Sequence, residues 1–170
     1  MQSDELRALQ APIKARYRED PESALVTMTA RGTLDVERIA CRVDTRDDRV
    51  DSGLHPAAGG DGTLLCSGDM LLEALVACAG VTLASVATAM GLPVAGGTVT
   101  AEGDLDFRGT LAVDRAVPVG FRDIRVHFAL DSSATEEQIE KLIALTERYC
   151  VVFQTINNRP NLSVSYAASS

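Results

Sequence analysis

The sequence is poor in the residues on which zinc sites and nucleic-acid surfaces depend. It has two histidines, and none of its four cysteines forms a Cys-x-x-Cys pair, whereas structural zinc sites usually combine closely spaced cysteine or histidine ligands. Acidic residues outnumber basic ones, and the formal net charge of -8 would repel a phosphate backbone or an anionic membrane surface. We therefore expect no metal and no cofactor, and neither nucleic acid nor a membrane as a partner.

The first residues lack the features of an export signal. They read MQSDE, with neither a basic segment nor an apolar one, so we expect the protein to be cytoplasmic. In that reducing compartment the cysteines would be free or catalytic thiols and not a disulfide framework. The length of 170 residues predicts a single domain, residues 1–170, and no internal repeat is visible.

The longest apolar segment, residues 70–90, predicts a buried helix with Cys78 near its centre. Asp69 lies at its start, where a negative charge complements the helix dipole, and Gly91 provides a stop. About 20 apolar residues could also span a bilayer. However, Glu73 interrupts this segment, many of its residues are small, and no Lys or Arg lies close to either end, as a span normally requires. We predict a core helix of a soluble protein.

The rest of the chain alternates short predicted strands with turns and one further long helix. Thr135 and Gln138 form a capping box in front of that helix, and Cys150 lies on its apolar stripe. His127 falls on the outward side of its strand. The other predicted elements are a short helix at residues 3–10, strands at residues 13–18, 24–30, 36–43, 98–108 and 121–130, and a last strand through Leu162, Val164 and Tyr166.

The segment at residues 44–68 is predicted to be a loop, because it is rich in charged residues and in Gly and Pro. A loop of this length in a compact domain is usually functional or mobile. His55 is a candidate catalytic base there, although a histidine before a proline in a glycine-rich loop is more often solvated. Residues 59–62, GGDG, are not a phosphate loop, because no Lys-Ser or Lys-Thr follows them. Cys66, twelve residues before Cys78, is either a third redox residue or an inert thiol.

This order of elements predicts an α+β fold. Runs of strands interrupted by single helices are typical of that class and unlike the regular alternation of a doubly wound parallel sheet. The helix at residues 70–90 needs apolar cover on all sides, and one amphipathic partner helix provides too little. We therefore expect a homodimer that buries this helix between two sheets.

Two cysteine-containing segments resemble a known family. Residues 71–78, LLEALVAC, and residues 147–152, ERYCVV, are similar to the paired cysteine motifs of the OsmC/Ohr family, and the spacing of 72 residues between the two cysteines is also similar. The resemblance includes the early strands, residues 34–39 among them, and so covers nearly the whole chain. It implies an OsmC-like fold, with antiparallel sheets around two central cysteine-bearing helices in an intertwined homodimer.

The resemblance also implies an activity. The protein would be a thiol peroxidase for organic hydroperoxides, with Cys78 as the peroxidatic cysteine and Cys150 as the resolving one. In such chemistry a thiolate attacks the O–O bond and becomes a sulfenic acid, which the second thiol converts into a disulfide. An external dithiol reductant would then reduce that disulfide. Apolar surroundings would favour organic hydroperoxides over hydrogen peroxide.

A buried thiol stays inert unless a cation stabilises its thiolate. In the family an arginine from the early strand region supplies that cation, and an acidic residue near the start of the cysteine helix holds it. Arg18 is the best positional match and Arg16 the second, with a plain surface arginine as the alternative. The sequence departs from the family at Gly68, where the best-studied branches carry glutamate. Asp69 or Glu73 would orient the arginine instead, and Asp69 is otherwise a simple helix N-terminal charge.

Two functions therefore stay open. The first, which we prefer, is a peroxidase that acts through Cys78 and Cys150. The second is a non-catalytic OsmC-like protein that binds a small hydrophobic ligand in the dimer cleft, with both cysteines as core residues, the commonest role of a buried free cysteine. The first predicts a lowered Cys78 pKa and rapid oxidation, and the second predicts neither.

Overall fold

The computed structural model describes residues 2–45 and 49–167, which contain five α-helices and six β-strands. Two short 3₁₀ helices lie at Pro21–Ala24 and Pro56–Ala58. In chain order the main elements are α1 (Ser3–Glu19), β1 (Arg31–Asp35), β2 (Ala40–Asp44), β3 (Arg49–Gly53), β4 (Leu65–Cys66), α2 (Ser67–Met90), β5 (Val94–Leu105), α3 (Phe107–Thr110), β6 (Phe121–Ser132), α4 (Glu136–Tyr149) and α5 (Val151–Asn157).

The strands form two sheets. The first has the order β1-β2-β3-β4, in which β3 and β4 run parallel and the other neighbours antiparallel. The second is the antiparallel hairpin of β5 and β6, where Val99 pairs with Phe128 and Ala101 with Val126. These four residues pack on the core side and alternate with exposed residues such as His127, as predicted. The mixture of helices and small sheets confirms the α+β class.

Helix α2 lies against this hairpin and forms the centre of the core. It covers the predicted residues 70–90 and begins three residues earlier. Gly91, at φ +65°, ends it in the left-handed conformation that glycine adopts without strain. Leu142 of α4 is fully buried against it. The buried residues of α2 recur every four positions and so share one face: Leu75, Ala79, Leu83 and Ala87.

Length and composition alone would allow α2 to cross a membrane. Its most apolar window has a mean hydropathy of 2.0, and only 22% of that window is buried within the chain. The buried face packs on the hairpin and on α4, which is the position of a core helix. The remaining apolar surface of α2 is left for another molecule to cover.

The N-terminal region differs most from the prediction. The single helix α1 replaces both the short helix and the strand predicted at residues 13–18. Ala, Leu, Arg, Lys and Glu dominate this region and favour helix. At its start the Glu5 carboxylate accepts the Gln2 backbone N–H at 2.8 Å. Pro12 removes one backbone donor without ending the helix. Arg18 therefore lies in the last turn of a helix and not at the end of a strand.

The two strands predicted next are also corrected. Residues 24–30 form no strand, and the strand predicted at residues 36–43 survives only as part of β2. A turn separates β1 from β2, in which the Asp35 carboxylate accepts the Arg38 backbone N–H at 3.1 Å. Ile39 ends this turn with φ +50°. The turn thus breaks the apolar alternation that suggested one continuous strand.

The segment predicted as a loop, residues 44–68, contains β3, β4 and a 3₁₀ helix, although its residues 46–48 lie outside the described residues. Some of its charges pair across the first sheet. The Asp51 carboxylate accepts hydrogen bonds from Arg42 Nε at 2.8 Å and from Arg38 Nη1 at 3.0 Å. These bonds lower the pKa of Asp51 to about 2, and the bond from Arg42 has the larger effect. Asp51, one of the charged residues that suggested a loop, therefore pairs with a residue of the neighbouring strand.

The C-terminal region follows the prediction only at first. The capping box forms, since the Thr135 hydroxyl accepts the Gln138 N–H at 3.3 Å and the Gln138 side chain accepts the Thr135 N–H at 2.9 Å. The helix predicted to continue past Cys150 is interrupted there and becomes α4 and α5. The predicted last strand does not form. Residues 162–166 pair with no strand among the residues that the structure describes, and their apolar side chains are exposed.

The chain exposes far more surface than a folded monomer of its size. Its accessible area is 13028 Å², whereas a compact monomer of 18.0 kDa exposes about 8,000 Å². Much of the exposed apolar surface comes from the two ends of the chain, including Leu25, Val26, Met28, Val164 and Tyr166. Apolar surface of this extent is typical of a region that binds another molecule.

Candidate functional site: a pair of thiols between three helices

Cys78 and Cys150, separated by 72 residues of sequence, meet where α2, α4 and α5 converge. Cys78 lies near the centre of α2, and Cys150 is the single residue between α4 and α5. Both belong to one apolar cluster with Leu75, Ala79 and Phe153. Cys150 is 1% exposed, whereas Cys78 is only partly buried. The fold therefore brings together the two cysteines that the sequence singled out.

The surroundings of Cys78 favour its thiolate. Partial burial raises its pKa, but hydrogen bonds from the Val152 N–H, the Cys150 thiol, the Val151 N–H and the Thr82 hydroxyl outweigh that effect and lower the pKa below the ordinary cysteine value. Val151 and Val152 open α5, so their N–H groups have no acceptor within the helix. Amides at a helix N-terminus are a known means of lowering a thiol pKa. All four of these donors are neutral.

The pKa of Cys150 moves in the opposite direction. Burial raises it, the Phe153 N–H opposes that rise, and the neighbouring Cys78 raises it further through a hydrogen bond and through its charge. Cys150 therefore holds its proton longer than Cys78 does and donates it in a hydrogen bond to the Cys78 sulfur. The two thiols form an unequal pair, with one poised as a nucleophile and the other as a neutral donor beside it.

Cys78 also lies on a part of α2 that the chain leaves uncovered. With 100° of rotation per residue, Leu71, Ala74, Cys78 and Val81 follow one stripe along the helix. Leu71 is 40% exposed and Val81 73% exposed. Any molecule that covers this stripe would lie directly over Cys78.

A cleft of about 540 Å³ lies between β6 and the helices, next to Cys150. Apolar core residues line it together with polar ones, among them Arg122, Asp123 and Glu147. A cleft of this volume with a few polar groups is typical of small-molecule sites. Its apolar lining includes Leu75, Ala79, Ile124, Val126, Phe128 and Phe153.

None of the four residues predicted to support Cys78 is among the groups that shift its pKa within one chain. Asp69 precedes Cys78 by nine residues of helix, which places it on the opposite face and about 13 Å away along the axis. Asp69 and Glu73 are both exposed. Arg16 and Arg18 are exposed on α1, and in the described ranges neither forms an ion pair with an acidic residue. The roles of these four residues stay predictions.

Cys66 and Gly68 lie at the N-terminus of α2, where the sequence suggested a third redox residue and a departure from the family. The Cys66 sulfur accepts the Gly68 N–H at 3.4 Å, so Cys66 caps the helix. Its distance from Cys78 along the axis is about 18 Å, which is too long for the two sulfurs to react in this conformation. A Cβ on Gly68 would lie 3.4 Å from the Phe121 ring. A glutamate there would have to pass that ring.

His55 lies away from the thiols. Its ring stacks on Phe107 at 4.9 Å, and its Nδ1 accepts the Ala57 N–H at 3.0 Å. The side chain thus joins the segment before α2 to α3, and it is packed and not simply solvated. Among the residues that the structure describes, no group of three His, Cys, Asp or Glu side chains converges to hold a metal ion.

Three contributors to the site were missed from the sequence. Thr82 is a polar residue four positions after Cys78 on an apolar helix, and that spacing is a signal that could have identified it. Val151 and Val152 act through their backbone N–H groups, so their side chains carry no signal. Only the interruption of the helix at Cys150 makes those amides available.

Replacing Thr82 by valine is expected to slow the alkylation of Cys78 by iodoacetamide at neutral pH by about threefold to tenfold, because one hydrogen bond to the thiolate is worth about 1 kcal/mol. Valine keeps the shape of threonine without the hydroxyl. Thr88→Val is the matched control, since the Thr88 hydroxyl donates to the Ala84 carbonyl at 2.8 Å. Equal rates in the two variants, measured peptide by peptide with mass spectrometry, would show that Thr82 does not act on the thiol.

The fold and the site together define an α+β protein with an unequal pair of thiols, one on its central helix and one at the break between two further helices. A family model described as OsmC-like protein matches residues 60–165, which is more than half of the chain. The chain therefore belongs to the OsmC-like family, as the resemblance of its cysteine segments predicted. No curated protein sequence matches it.

Solved structures have the same fold. An OsmC-like protein from Mycoplasma pneumoniae aligns with a TM-score of 0.66 at 16% identity, over 79% of this chain and 89% of that one. An organic hydroperoxide resistance protein from Elizabethkingia anophelis gives 0.64 at 16% identity, over 80% and 91%. Another such protein, from Legionella pneumophila, gives 0.62 at 21% identity, over 79% and 92%. The TM-scores show a shared fold, and identities this low show no more than the fold.

Proposed function

We propose that this protein is a cysteine peroxidase that reduces organic hydroperoxides. The observation that carries the proposal is the unequal thiol pair, in which the pKa of Cys78 is lowered and that of Cys150 is raised. A peroxidatic cysteine has to react as a thiolate, so the order of the two pKa values assigns the first attack to Cys78. Cys150 would lose its proton only in the later condensation with the sulfenic acid, which releases water. Cys78 is the peroxidatic residue and Cys150 the resolving one.

The reaction has three steps. The Cys78 thiolate attacks the terminal oxygen of the hydroperoxide, the O–O bond breaks, and the alkoxide leaves and takes up a proton to become an alcohol. The Cys150 sulfur then attacks the Cys78 sulfenic acid, which forms the disulfide and releases water. A dithiol reductant opens that disulfide by exchange and is itself oxidised to a disulfide. The neighbouring positions of the two cysteines allow the second step without a large movement of the chain.

The surroundings support an organic substrate and a reducing compartment. The thiols lie in a cluster of Leu, Ala, Val and Phe side chains, which would solvate an alkyl or aryl group better than it would hydrogen peroxide. Relatives of the same fold are named organic hydroperoxide resistance proteins. A catalytic disulfide that must be reduced in every cycle suits the cytoplasm, where thiols are kept reduced.

The active form is a homodimer. The exposed apolar stripe on α2 and the large accessible area support this assembly. A second copy over the stripe would cover Cys78, exclude water from it and bring new side chains towards it. An arginine from the partner's α1 region would act there, which is compatible with the exposed position of Arg18 on its own chain. Asp69 or Glu73 would hold that arginine.

The proposal is tested by the rate at which the purified protein consumes cumene hydroperoxide, compared with hydrogen peroxide, in the presence of dihydrolipoamide. Turnover that is fast and biased towards the organic peroxide is the expected result. Negligible turnover of both peroxides, with Cys78 shown to be reduced at the start, would contradict it.

The cleft beside Cys150 supports a second candidate function. Its volume of about 540 Å³ and its Leu, Ile, Val and Phe lining residues suit the apolar part of a small ligand held without chemistry, and its polar lining residues suit a polar end group. In that case the cysteines would be core residues, and a ligand such as a fatty acid would raise the melting temperature of the protein whether or not Cys78 is present.

A further inference from the structure

The interruption between α4 and α5 changes the partners of the backbone around Cys150. In a continuous helix the Val151 N–H would donate to the Glu147 carbonyl, four residues earlier. Cys150 instead adopts extended angles, φ -72° and ψ 108°, and the last regular bond runs from its N–H to the Thr146 carbonyl at 2.9 Å. The break therefore releases the Val151 N–H and leaves the Glu147 carbonyl without its usual donor.

The side chain of Gln154 takes the place of that donor. Its Nε2 donates to the Glu147 carbonyl oxygen at 2.8 Å, from α5 back to α4. Its Oε1 accepts a hydrogen bond from Asn158 Nδ2, also at 2.8 Å. Because Asn158 occupies the amide oxygen with a donor, the amide nitrogen must point towards Glu147. Both ends of the Gln154 amide are thus fixed.

We propose that Gln154 is a positioning residue for the thiol pair. By supplying the donor that the Glu147 carbonyl lacks, it stabilises the break at Cys150 against the competing continuous helix. The break in turn directs Cys150 and the first amides of α5 towards Cys78. The inference rests on the proposed function in taking Cys78 as the reacting thiol, but its measurement does not require turnover.

The competing helix is a realistic alternative for this sequence. The apolar residues on either side of the break continue one helical stripe, which is why the sequence predicts a single helix there. In that conformation the Val151 N–H would return to the Glu147 carbonyl and leave the Cys78 sulfur. Loss of the Gln154 bridge therefore favours the state with the less stabilised thiolate. Support for the broken state comes from the contacts of Cys78 with the cluster that contains Cys150, Val152 and Phe153.

The test is the pH dependence of Cys78 alkylation by iodoacetamide, followed at the Cys78 peptide by mass spectrometry in the full chain. Gln154→Ala should move the midpoint of that profile to higher pH and slow alkylation at neutral pH about threefold to tenfold, the value of one lost hydrogen bond to a thiolate. Asn158→Ala removes the bond that orients the Gln154 side chain, together with a second bond from Asn158 Nδ2 to the Gln154 carbonyl at 3.2 Å, and leaves the Gln154 amide in place. It should shift the profile in the same direction and by less.

The control lies on the same helix. The Thr155 hydroxyl donates to the Val151 carbonyl at 2.8 Å, so Thr155→Ala removes a side-chain hydrogen bond of α5 that does not cross the break. It should leave the Cys78 profile unchanged. A folded Gln154→Ala variant whose profile equals that of Thr155→Ala would overturn the inference. If Gln154→Ala does not fold, an unchanged profile in Asn158→Ala overturns it instead.

The outcome is separable from the proposed function. A shifted profile in a protein that does not consume peroxides would uphold the role of Gln154 and contradict the peroxidase. Peroxide turnover by a protein whose Cys78 profile is insensitive to Gln154 would do the reverse.

Discussion

Cys78→Ser is expected to lower the turnover of cumene hydroperoxide by at least about a thousandfold, because a serine hydroxyl stays protonated and cannot replace a thiolate nucleophile. The measurement is consumption of the peroxide with dihydrolipoamide in excess. The effect should be far larger than that of any supporting residue, since Thr82 and Gln154 change only the stability of the thiolate.

Cys150→Ser should block the second step of the reaction and leave the first intact. Cys78 would still reduce one equivalent of hydroperoxide, but its sulfenic acid would then accumulate, and a dimedone adduct on the Cys78 peptide would report it. Cys66→Ser is the matched control, because Cys66 is a partly buried thiol at the start of the same helix. Full activity in Cys78→Ser, or loss of activity in Cys66→Ser, would contradict the assignment of roles.

The rate of Cys78 oxidation should depend on pH in a direction that follows from the lowered pKa of Cys78. A lowered pKa enlarges the thiolate fraction at neutral pH, so the initial rate of Cys78 oxidation should rise with pH only up to the lowered value and then reach a plateau. It should fall as the pH drops below that value. An ordinary free cysteine would reach its plateau at a higher pH. The Cys78→Ser variant should show no such profile.

The second large effect concerns assembly. The protein should sediment as a dimer of twice its 18.0 kDa mass, and Val81→Glu should weaken that dimer by at least about a hundredfold, because it would bury an unpaired carboxylate in the interface. Val81 is 73% exposed within the chain and lies on the same stripe as Cys78. Sedimentation velocity over a range of concentrations measures the change.

Val113→Glu provides the control for this prediction. Val113 is 72% exposed, almost the same as Val81, but it lies in the segment between α3 and β6. The same substitution there should leave the dimer intact. A wild-type protein that sediments as a monomer at micromolar concentration, with a melting temperature independent of concentration, would contradict the dimer.

These two results are linked through Cys78. The stripe that carries Val81 also carries Cys78, so a variant that dissociates should expose the thiol to water as well. If a partner arginine stabilises the thiolate, Val81→Glu would lower peroxidase activity together with the dimer, and Val113→Glu would change neither.

The two cysteines of the site could be predicted from the sequence, but the groups that act on Cys78 were not. Cys78 stood out because it lies in the middle of the longest apolar segment, and Cys150 because it lies on the apolar stripe of a second helix with a clear capping box. Thr82 could have been added from its spacing of four residues. The amides of Val151 and Val152 could not, because a backbone group carries no residue type and becomes available only where a helix is interrupted.

The elements were predicted best where local signals and tertiary packing agree. The long helix, the strands β5 and β6 and the start of α4 have regular periods or caps. The structure keeps all three, although β5 covers Val94–Leu105 where residues 98–108 were predicted, and Phe107 and Arg108 belong to α3. The strands predicted at residues 13–18 and 24–30 had apolar residues without a local partner. Helix propensity prevailed in the first, and the second pairs with no strand in the part of the chain that the structure describes.

By itself, then, the sequence determined the α+β class, the central helix and the two cysteines, because hydrophobic periodicity and helix signals are local properties of the chain. The tertiary structure decided which groups reach Cys78 and where the second helix breaks. The Gln154 bridge and the uncovered stripe on α2 depend on contacts between residues that are distant in sequence or on faces that only packing defines. Such contacts produce no regular pattern in the sequence from which they could be predicted.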